Sequence, residues 1–118
     1  MFINISNHPS NCWEKSQLDA ANLYGKIVDM PFPDIPPEVD EAYISALVLR
    51  FMQAIVGRYR PERDVLHIMG EMCFSFALVN ELRKAGFTCV ASTSERKVRE
   101  ENGYKEAYFC FVRFGKYE

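Results

Sequence analysis

Short apolar segments alternate with segments of helical periodicity along the chain, and this alternation is the strongest constraint on its fold. The first apolar segment, Phe2–Ser6, ends in a cluster of turn-forming residues. Residues 13–24 then place Leu18 and Ala21 at helical spacing, and Gly25 follows as a stop signal. Alternation of this kind predicts an α/β domain with a parallel sheet.

The rest of the chain continues the pattern and ends in a hairpin. The expected elements are a strand at 26–30, a helix from the N-cap Asp40 to about Tyr59, a strand at 64–69, a helix at 71–85 and a strand at 87–91. Asn102-Gly103, a strong hairpin signal, precedes a last strand at 105–114. The order β-α-β-α-β-α-β-β predicts a three-layer, Rossmann-like domain with a mostly parallel sheet and a C-terminal antiparallel hairpin strand.

Composition limits the class of protein. The 118 residues suit one domain spanning 1–118, and 48% apolar with 25% charged residues is typical of a soluble globular protein. No run reaches the roughly 18–20 apolar residues that a membrane span requires, and no basic leader opens the chain, so we expect a cytoplasmic protein. A net charge of −2 without Lys/Arg clusters disfavours long nucleic acids as partners but leaves a small anionic ligand open.

The four cysteines do not predict a metal site. They form no Cys-x-x-Cys pair and have no histidine at ligand spacing, so we expect neither a metal nor another cofactor. Cys73, Cys89 and Cys110 lie in apolar runs, where a free cysteine is typically a small buried hydrophobe. Cys12 lies in a polar loop near His8, and a thiol nucleophile is the alternative there.

Candidate ligand-binding residues follow three of the predicted strands. In an open parallel sheet, ligands bind beyond the carboxyl ends of the strands, beside helix N-termini that favour anions. After the first strand, Asn7, His8 and Ser10 offer polar groups, and His8 is a candidate phosphate donor or general acid/base. The alternative is a plain turn in which Ser10 caps the next helix.

Two further segments complete this predicted edge. After the third strand, Gly70, Glu71 and Met72 resemble a turn whose glycine lets the backbone approach a ligand, although no GxGxxG or Walker pattern is present. The alternative is a tight strand-to-helix turn. After the fourth strand come three hydroxyls and one arginine, whose fork suits phosphate: Ser92, Thr93, Ser94 and Arg96. The alternative there is a polar strand that continues into the hairpin.

Other polar and aromatic positions are interpreted as core. His67 lies within an apolar strand and is predicted to be a hydrogen-bonded core residue. The near-alternating aromatic residues of the tail, 104–117, are predicted to pack as one face of a strand. The helix at 71–85 is apolar on more than one face, so we expect a two-fold homodimer that covers it.

The three strand-exit segments also carry a family resemblance. Asn7-His8-Pro9-Ser10, the junction at 67–72 and the exit at 92–96 resemble those of small stand-alone CRISPR-associated proteins with a CARF-like Rossmann domain. The resemblance implies a homodimer that binds cyclic oligoadenylate across its two-fold axis, with some such proteins, the ring nucleases, cleaving it. By position, it implies a set of ligand-contacting residues: His8, Ser10, Gly70, Ser92, Thr93 and Arg96.

The mechanism that the resemblance implies is metal-independent. A ribose 2′-hydroxyl would attack its adjacent phosphate while the protein holds it in line, and Arg96 or His8 would stabilise the developing charge. Any activity would reside in this one domain, in the setting of antiviral defence. The alternative is a dimeric small-nucleotide sensor or interaction module without catalysis.

Overall fold

Five strands and three α-helices follow one another in the computed structural model, which describes all 118 residues. The strands are β1 (Phe2–Ser6), β2 (Ile27–Asp29), β3 (Val65–Met69), β4 (Thr88–Glu101) and β5 (Tyr104–Lys116). The helices are α1 (Lys15–Asn22), α2 (Glu41–Arg58) and α3 (Met72–Lys84). A short 3-10 turn at Ser10–Cys12 precedes α1. The predicted order of strands and helices is confirmed.

The strands form one sheet in the order β2-β1-β3-β4-β5. The first four strands pair in parallel, and β5 pairs antiparallel with β4, as predicted. Asn102 and Gly103 join the last two strands with φ angles of 52° and 81°. This left-handed pair of angles matches the right-handed twist of a hairpin, which is why Asn-Gly is favoured at such a turn.

Helices cover both faces of the sheet because successive strand residues point to opposite sides. Ile3 and Leu66 belong to a core cluster that includes residues of α2 and α3. Phe2 and Val90, on the other face, pack with Ala21 of α1. The sheet is therefore mixed but mostly parallel, with one helix on one side and two on the other.

The helix ends follow the predicted signals. The Asp40 carboxylate accepts a hydrogen bond from the Tyr43 amide at 3.0 Å and caps α2, as expected.

On α3, Phe74 and Leu78 are buried by the chain itself, whereas Met72 and Phe76 are exposed. None of the helices combines the length and the apolar character needed to cross a bilayer.

The last two strands are longer than predicted and extend beyond the helices. The strand expected at 87–91 runs from Thr88 to Glu101, so residues 92–96 are the polar strand of the alternative interpretation. Core packing of the aromatic tail is confirmed for Phe114 but is wrong for Tyr104 and Phe109, which are 80% and 66% exposed. Because β4 pairs with β3 only at Thr88–Val90, its distal half has no partner except β5.

Candidate functional site

A cleft of about 330 Å³ opens where β1, β3 and β4 end or diverge. Backbone pairing between β3 and β4 stops at His67 and Val90, and beyond that point only side chains of β3 bond to β4. The residues that line the cleft come from the end of β1, the β1–α1 loop, α1, β3 and the β4–β5 hairpin: Ser6, His8, Cys12, Trp13, Glu14, Gln17, His67, Met69, Ser92, Ser94, Phe109 and Phe111. The lining therefore combines hydroxyl and imidazole groups with aromatic rings.

A hydrogen-bonded chain of polar side chains forms the floor of this cleft. The Ser92 hydroxyl lies 2.8 Å from Nε2 of His67, and Nδ1 of His67 lies 2.8 Å from Oδ1 of Asn4. The amide nitrogen of Asn4 donates to a carboxylate oxygen of Asp29 at 2.8 Å. Gln17 donates its side-chain N–H to the Ser92 oxygen at 3.1 Å. Five elements of the fold, β1, β2, β3, β4 and α1, thus meet through one network.

The acceptors around Asn4 fix the tautomer of His67. The Asn4 nitrogen faces two groups that only accept, the Asp29 carboxylate and the His8 carbonyl oxygen. Its oxygen therefore faces His67, so Nδ1 of His67 must carry the proton. Nε2 is then the unprotonated nitrogen, and the Ser92 hydroxyl donates to it. The direction of every hydrogen bond in the chain follows from this assignment.

Burial keeps His67 neutral. The residue is 2% exposed, and this loss of hydration lowers its pKa from 6.5 to about 4, with a smaller contribution from the nearby His8. The prediction of a hydrogen-bonded core histidine is confirmed. The sequence did not indicate that one edge of this core residue lines a cleft.

Asp29 holds the β1–α1 loop against the sheet. One of its oxygens accepts from the Ser10 hydroxyl at 2.7 Å and the other from the Ser10 amide at 3.1 Å. Burial opposes ionisation of this carboxyl group, but the hydrogen bonds from Asn4 and Ser10 outweigh that effect and lower its pKa. The Trp13 indole N–H donates to the His8 carbonyl oxygen at 3.0 Å. These contacts fix the loop that carries His8 and Trp13.

Three predicted site residues line the cleft, and a fourth follows them along β4. His8, Ser92 and Ser94 are in the lining. Arg96 lies two residues beyond Ser94 on the same face of β4, opposite Phe109 of β5. Two of the three strand exits predicted from sequence therefore converge.

Three other predicted residues of these exits lie outside the lining. Asn7 is exposed on the loop, and Ser10 is directed to Asp29. Thr93 is on the opposite face of β4, where its hydroxyl bonds the backbone of Arg113 at 3.1 and 3.2 Å. Ser10 and Thr93 thus support the loop and the hairpin rather than face the cleft.

The third predicted exit, residues 70–72, is separate from the cleft. The Glu71 carboxylate accepts from the amides of Phe74 and Cys73 at 2.8 and 2.9 Å, and these two bonds lower its pKa. The protein's own carboxylate therefore occupies the anion position at the N-terminus of α3. Met72 is 84% exposed on the outer side of that helix.

Gly70 is required for packing. A Cβ atom built there would overlap the ring of Phe32, which packs edge-on against Phe74. We expect Gly70→Ala to lower the free energy of unfolding by about 1–3 kcal/mol in urea denaturation, because the ring must move. Gly57→Ala is the matched control, since its Cβ meets nothing within 4 Å and it lies inside α2. Equal effects of the two substitutions would contradict this packing role.

The cysteines differ in exposure. Cys89 is buried, as predicted, and burial raises its pKa to about 12. The expectation of burial is wrong for Cys73, which is exposed near the Glu71 carboxylate that raises its pKa. Cys73 lies in the first turn of α3 on its solvent side, because the apolar run around it extends over both the buried and the exposed side of that helix. Cys12 is exposed and lines the cleft. No three His, Cys, Asp or Glu side chains are grouped as metal ligands.

Reasoning from the sequence missed several residues of the site. Asn4 lies inside an apolar strand, Trp13 begins a helix in sequence, and Phe109 belongs to an aromatic strand interpreted as core. One signal was present: Asn4, Ser6 and His67 are polar residues within two apolar strands, and such residues need partners. Their pairing in parallel register, Asn4 with His67, is visible only in the fold.

The mixed α/β sheet and this cleft define a small α/β domain with a polar site at the carboxyl end of its sheet. Residues 1–115 match the model of the uncharacterized protein MJ1673 family, so the chain belongs to that family. No curated protein and no solved structure matches it.

Proposed function

We propose that the cleft binds a small anionic nucleotide, a cyclic oligoadenylate, in CRISPR-linked antiviral defence. The observation that carries the proposal is the convergence of His8, Ser92 and Ser94 with three aromatic rings in one cleft, with Arg96 next along the same face of β4. Hydroxyl, imidazole and guanidinium groups bind phosphate and ribose, and aromatic rings stack on bases.

The position of the cleft supports the proposal. We infer a Rossmann-like topology from the parallel strand order 2-1-3-4 with helices on both faces of the sheet. In such sheets the connections leave β1 and β3 in opposite directions, and ligands bind in the crevice between those two strand ends. Ser6, the last residue of β1, and Met69, the last of β3, both line the cleft.

The charge of the site assigns a particular role to Arg96. The lining includes Glu14 but no lysine or arginine, so it does not itself attract a phosphate. Arg96, two residues beyond Ser94 on the same face of β4, would supply the positive charge. We therefore place an adenine among Trp13, Phe109 and Phe111, with its phosphate outside, at the guanidinium fork.

Cleavage, if it accompanies binding, would use the ribose itself as nucleophile. The 2′-hydroxyl attacks the adjacent phosphorus, a P–O bond to the 5′-oxygen breaks, and the product is a 2′,3′-cyclic phosphate. His8 would carry the proton from the 2′-hydroxyl to the departing 5′-oxygen, and Arg96 would stabilise charge on the phosphoryl oxygens. A dimeric nucleotide sensor binds in the same way without this step.

The test is titration of the protein with cyclic tetra- and hexa-adenylate, followed by calorimetry and by chromatography of the reaction mixture. We expect binding that Arg96→Ala weakens at least about tenfold, because a charge-assisted phosphate contact contributes roughly 1.5–3 kcal/mol. Lys97→Ala is the matched control, since Lys97 follows in sequence but lies on the opposite face of β4.

The outcomes separate the two forms of the proposal. Cleavage that disappears in His8→Ala or Arg96→Ala supports a ring nuclease, and a thermal shift without cleavage supports the sensor. Neither binding nor cleavage with both rings would refute the nucleotide proposal.

We also propose a homodimer that covers the exposed side of α3. Met72 and Phe76 remain 84% and 71% exposed there, and burial of two such side chains from each copy favours association. Light scattering at micromolar concentration should give twice the mass of the chain, and Phe76→Glu should give a monomer. A monomeric mass for the unmodified protein would contradict the dimer.

A further inference from the structure

The polar chain under the cleft has the bonding pattern of a nucleophile, a base and an orienting group. Ser92 donates to the unprotonated Nε2 of His67, and the protonated Nδ1 donates to the Asn4 oxygen, each at 2.8 Å. The nucleotide mechanism uses the ribose hydroxyl and leaves this arrangement unused. A serine hydroxyl in contact with a fixed neutral imidazole is the structural signature of nucleophilic catalysis.

We propose that Ser92 is a nucleophile for acyl transfer, with His67 as its general base and Asn4 as the positioning residue, and that the cleft accepts a small uncharged carboxylic ester. This proposal holds whether or not the cleft also binds a nucleotide, because it uses only groups of this chain. The cleft of about 330 Å³ and its aromatic walls suit a small acyl group.

Asn4, the orienting group, is neutral, but its side chain is hydrogen-bonded to the carboxylate of Asp29. Asn4 donates to Asp29 at 2.8 Å, so the negative charge of Asp29 polarises the amide whose oxygen faces His67. An asparagine in this position can accept from His67 in only one orientation. The Asp29 carboxylate and the His8 carbonyl oxygen enforce that orientation.

A donor for the developing oxyanion also lies at the site. The backbone N–H of Ser92 is directed at the sulfur of Met69, 3.1 Å away, which is a weak acceptor. An oxyanion formed on a carbonyl attacked by Ser92 is a far stronger acceptor than a thioether, and this N–H can shift to it. The Gln17 N–H that already reaches the Ser92 oxygen is a second donor close to the reacting atoms.

The reaction needs only the ester and water. The Ser92 proton moves to Nε2 of His67, the oxygen bonds the carbonyl carbon, and the carbonyl electron pair moves onto its oxygen. Collapse expels the alcohol, which takes the proton from His67 and leaves an acyl group on Ser92. Water then attacks that group while giving a proton to His67, and Ser92 recovers this proton as the acid leaves.

A fluorophosphonate probe tests the nucleophile directly, because the serine oxygen displaces fluoride and retains a stable phosphonyl group. We expect one adduct on the native protein, located at Ser92 by peptide mass spectrometry, and formed at least about 100-fold faster than on the urea-unfolded chain. This measurement on the unmodified protein does not depend on whether a variant folds.

Variants then assign the roles. Ser92→Ala should abolish the adduct, and His67→Asn should slow it at least about 100-fold. Ser45→Ala, which removes an exposed hydroxyl on α2 outside the cleft lining, should leave the rate unchanged. Hydrolysis of p-nitrophenyl acetate should follow the same order. An adduct at another residue, or no labelling above that of the unfolded chain, would overturn the proposal.

Discussion

Replacement of Asp64 by Asn is expected to lower the free energy of unfolding by about 2–4 kcal/mol. Asp64 is 1% exposed and lies at the start of β3, where it joins three parts of the chain. One of its oxygens accepts from the Met1 amine at 2.7 Å, and the other accepts from the Arg60 amide at 2.8 Å and from the Arg63 guanidinium at 3.2 Å. Both oxygens only accept, so an amide NH₂ in place of either one would face another donor.

The pH dependence of stability provides an independent check on Asp64. Burial opposes ionisation of Asp64, but the hydrogen bonds from Arg63, the Met1 amine and Arg60 outweigh it and lower the pKa from 3.8 to about 2. A lowered folded-state pKa means that the stabilisation is present above pH 3.8 and is lost as the pH falls towards 2. In Asp64→Asn, the fall in the free energy of unfolding between pH 3.8 and about 2 should be smaller, because the contribution of Asp64 to it is gone.

The matched control for Asp64→Asn is a carboxylate in a solvated ion pair. Asp19 contacts Lys15 at 2.7 Å on the surface of α1, with most of its side chain exposed. Asp19→Asn should change the free energy of unfolding by no more than about 0.5 kcal/mol. Urea denaturation at pH 7 measures both variants. Similar losses for Asp64→Asn and Asp19→Asn would show that the buried cluster has no special role.

The element order was predictable because each signal was local. Asn102-Gly103 favours a left-handed turn by itself, and Asp40 caps α2 through an amide only three residues away. The length of β4 was not predictable in the same way. Residues 92–99 are polar or charged except for the exposed Val98, and they form a strand because β5 folds back along them rather than because their own side chains are buried. A strand that pairs with a single neighbour and is exposed to solvent lacks the alternating apolar residues from which strands are predicted.

The candidate site was predictable only in part, for a related reason. His8 and Ser92 follow strand ends, and the rule that ligands bind beyond carboxyl ends applies before the fold is known. The partners that give those residues their chemistry are distant in sequence: Asn4 bonds His67 across 63 positions, and His67 bonds Ser92 across 25. Gly70 and Glu71 satisfied the same rule, yet the first packs under Phe32 and the second caps its own helix.

His67 should make the protein progressively less stable between pH 6.5 and about 4. Its pKa is lowered from 6.5 to about 4 in the folded protein, mainly by burial, so in this window the unfolded chain takes up a proton that the folded chain does not. The stabilisation is therefore complete above pH 6.5 and is lost as the pH falls towards 4. The slope is up to about 1.4 kcal/mol per pH unit, which amounts to about 3 kcal/mol over the window.

Two variants isolate the His67 contribution to this slope. His67→Asn keeps a donor near the Asn4 oxygen but cannot titrate. Its free energy of unfolding should therefore change little between pH 7 and pH 5, a range that lies roughly one pH unit or more above the ordinary pKa values of carboxyl groups. His8→Gln removes the other histidine, whose side chain is exposed, and should retain most of the slope. Urea denaturation at half-unit intervals of pH measures all three proteins. If the pH dependence of the free energy of unfolding survives in His67→Asn, another group is responsible for it. The measurement would then no longer support a neutral His67 that accepts a hydrogen bond from Ser92.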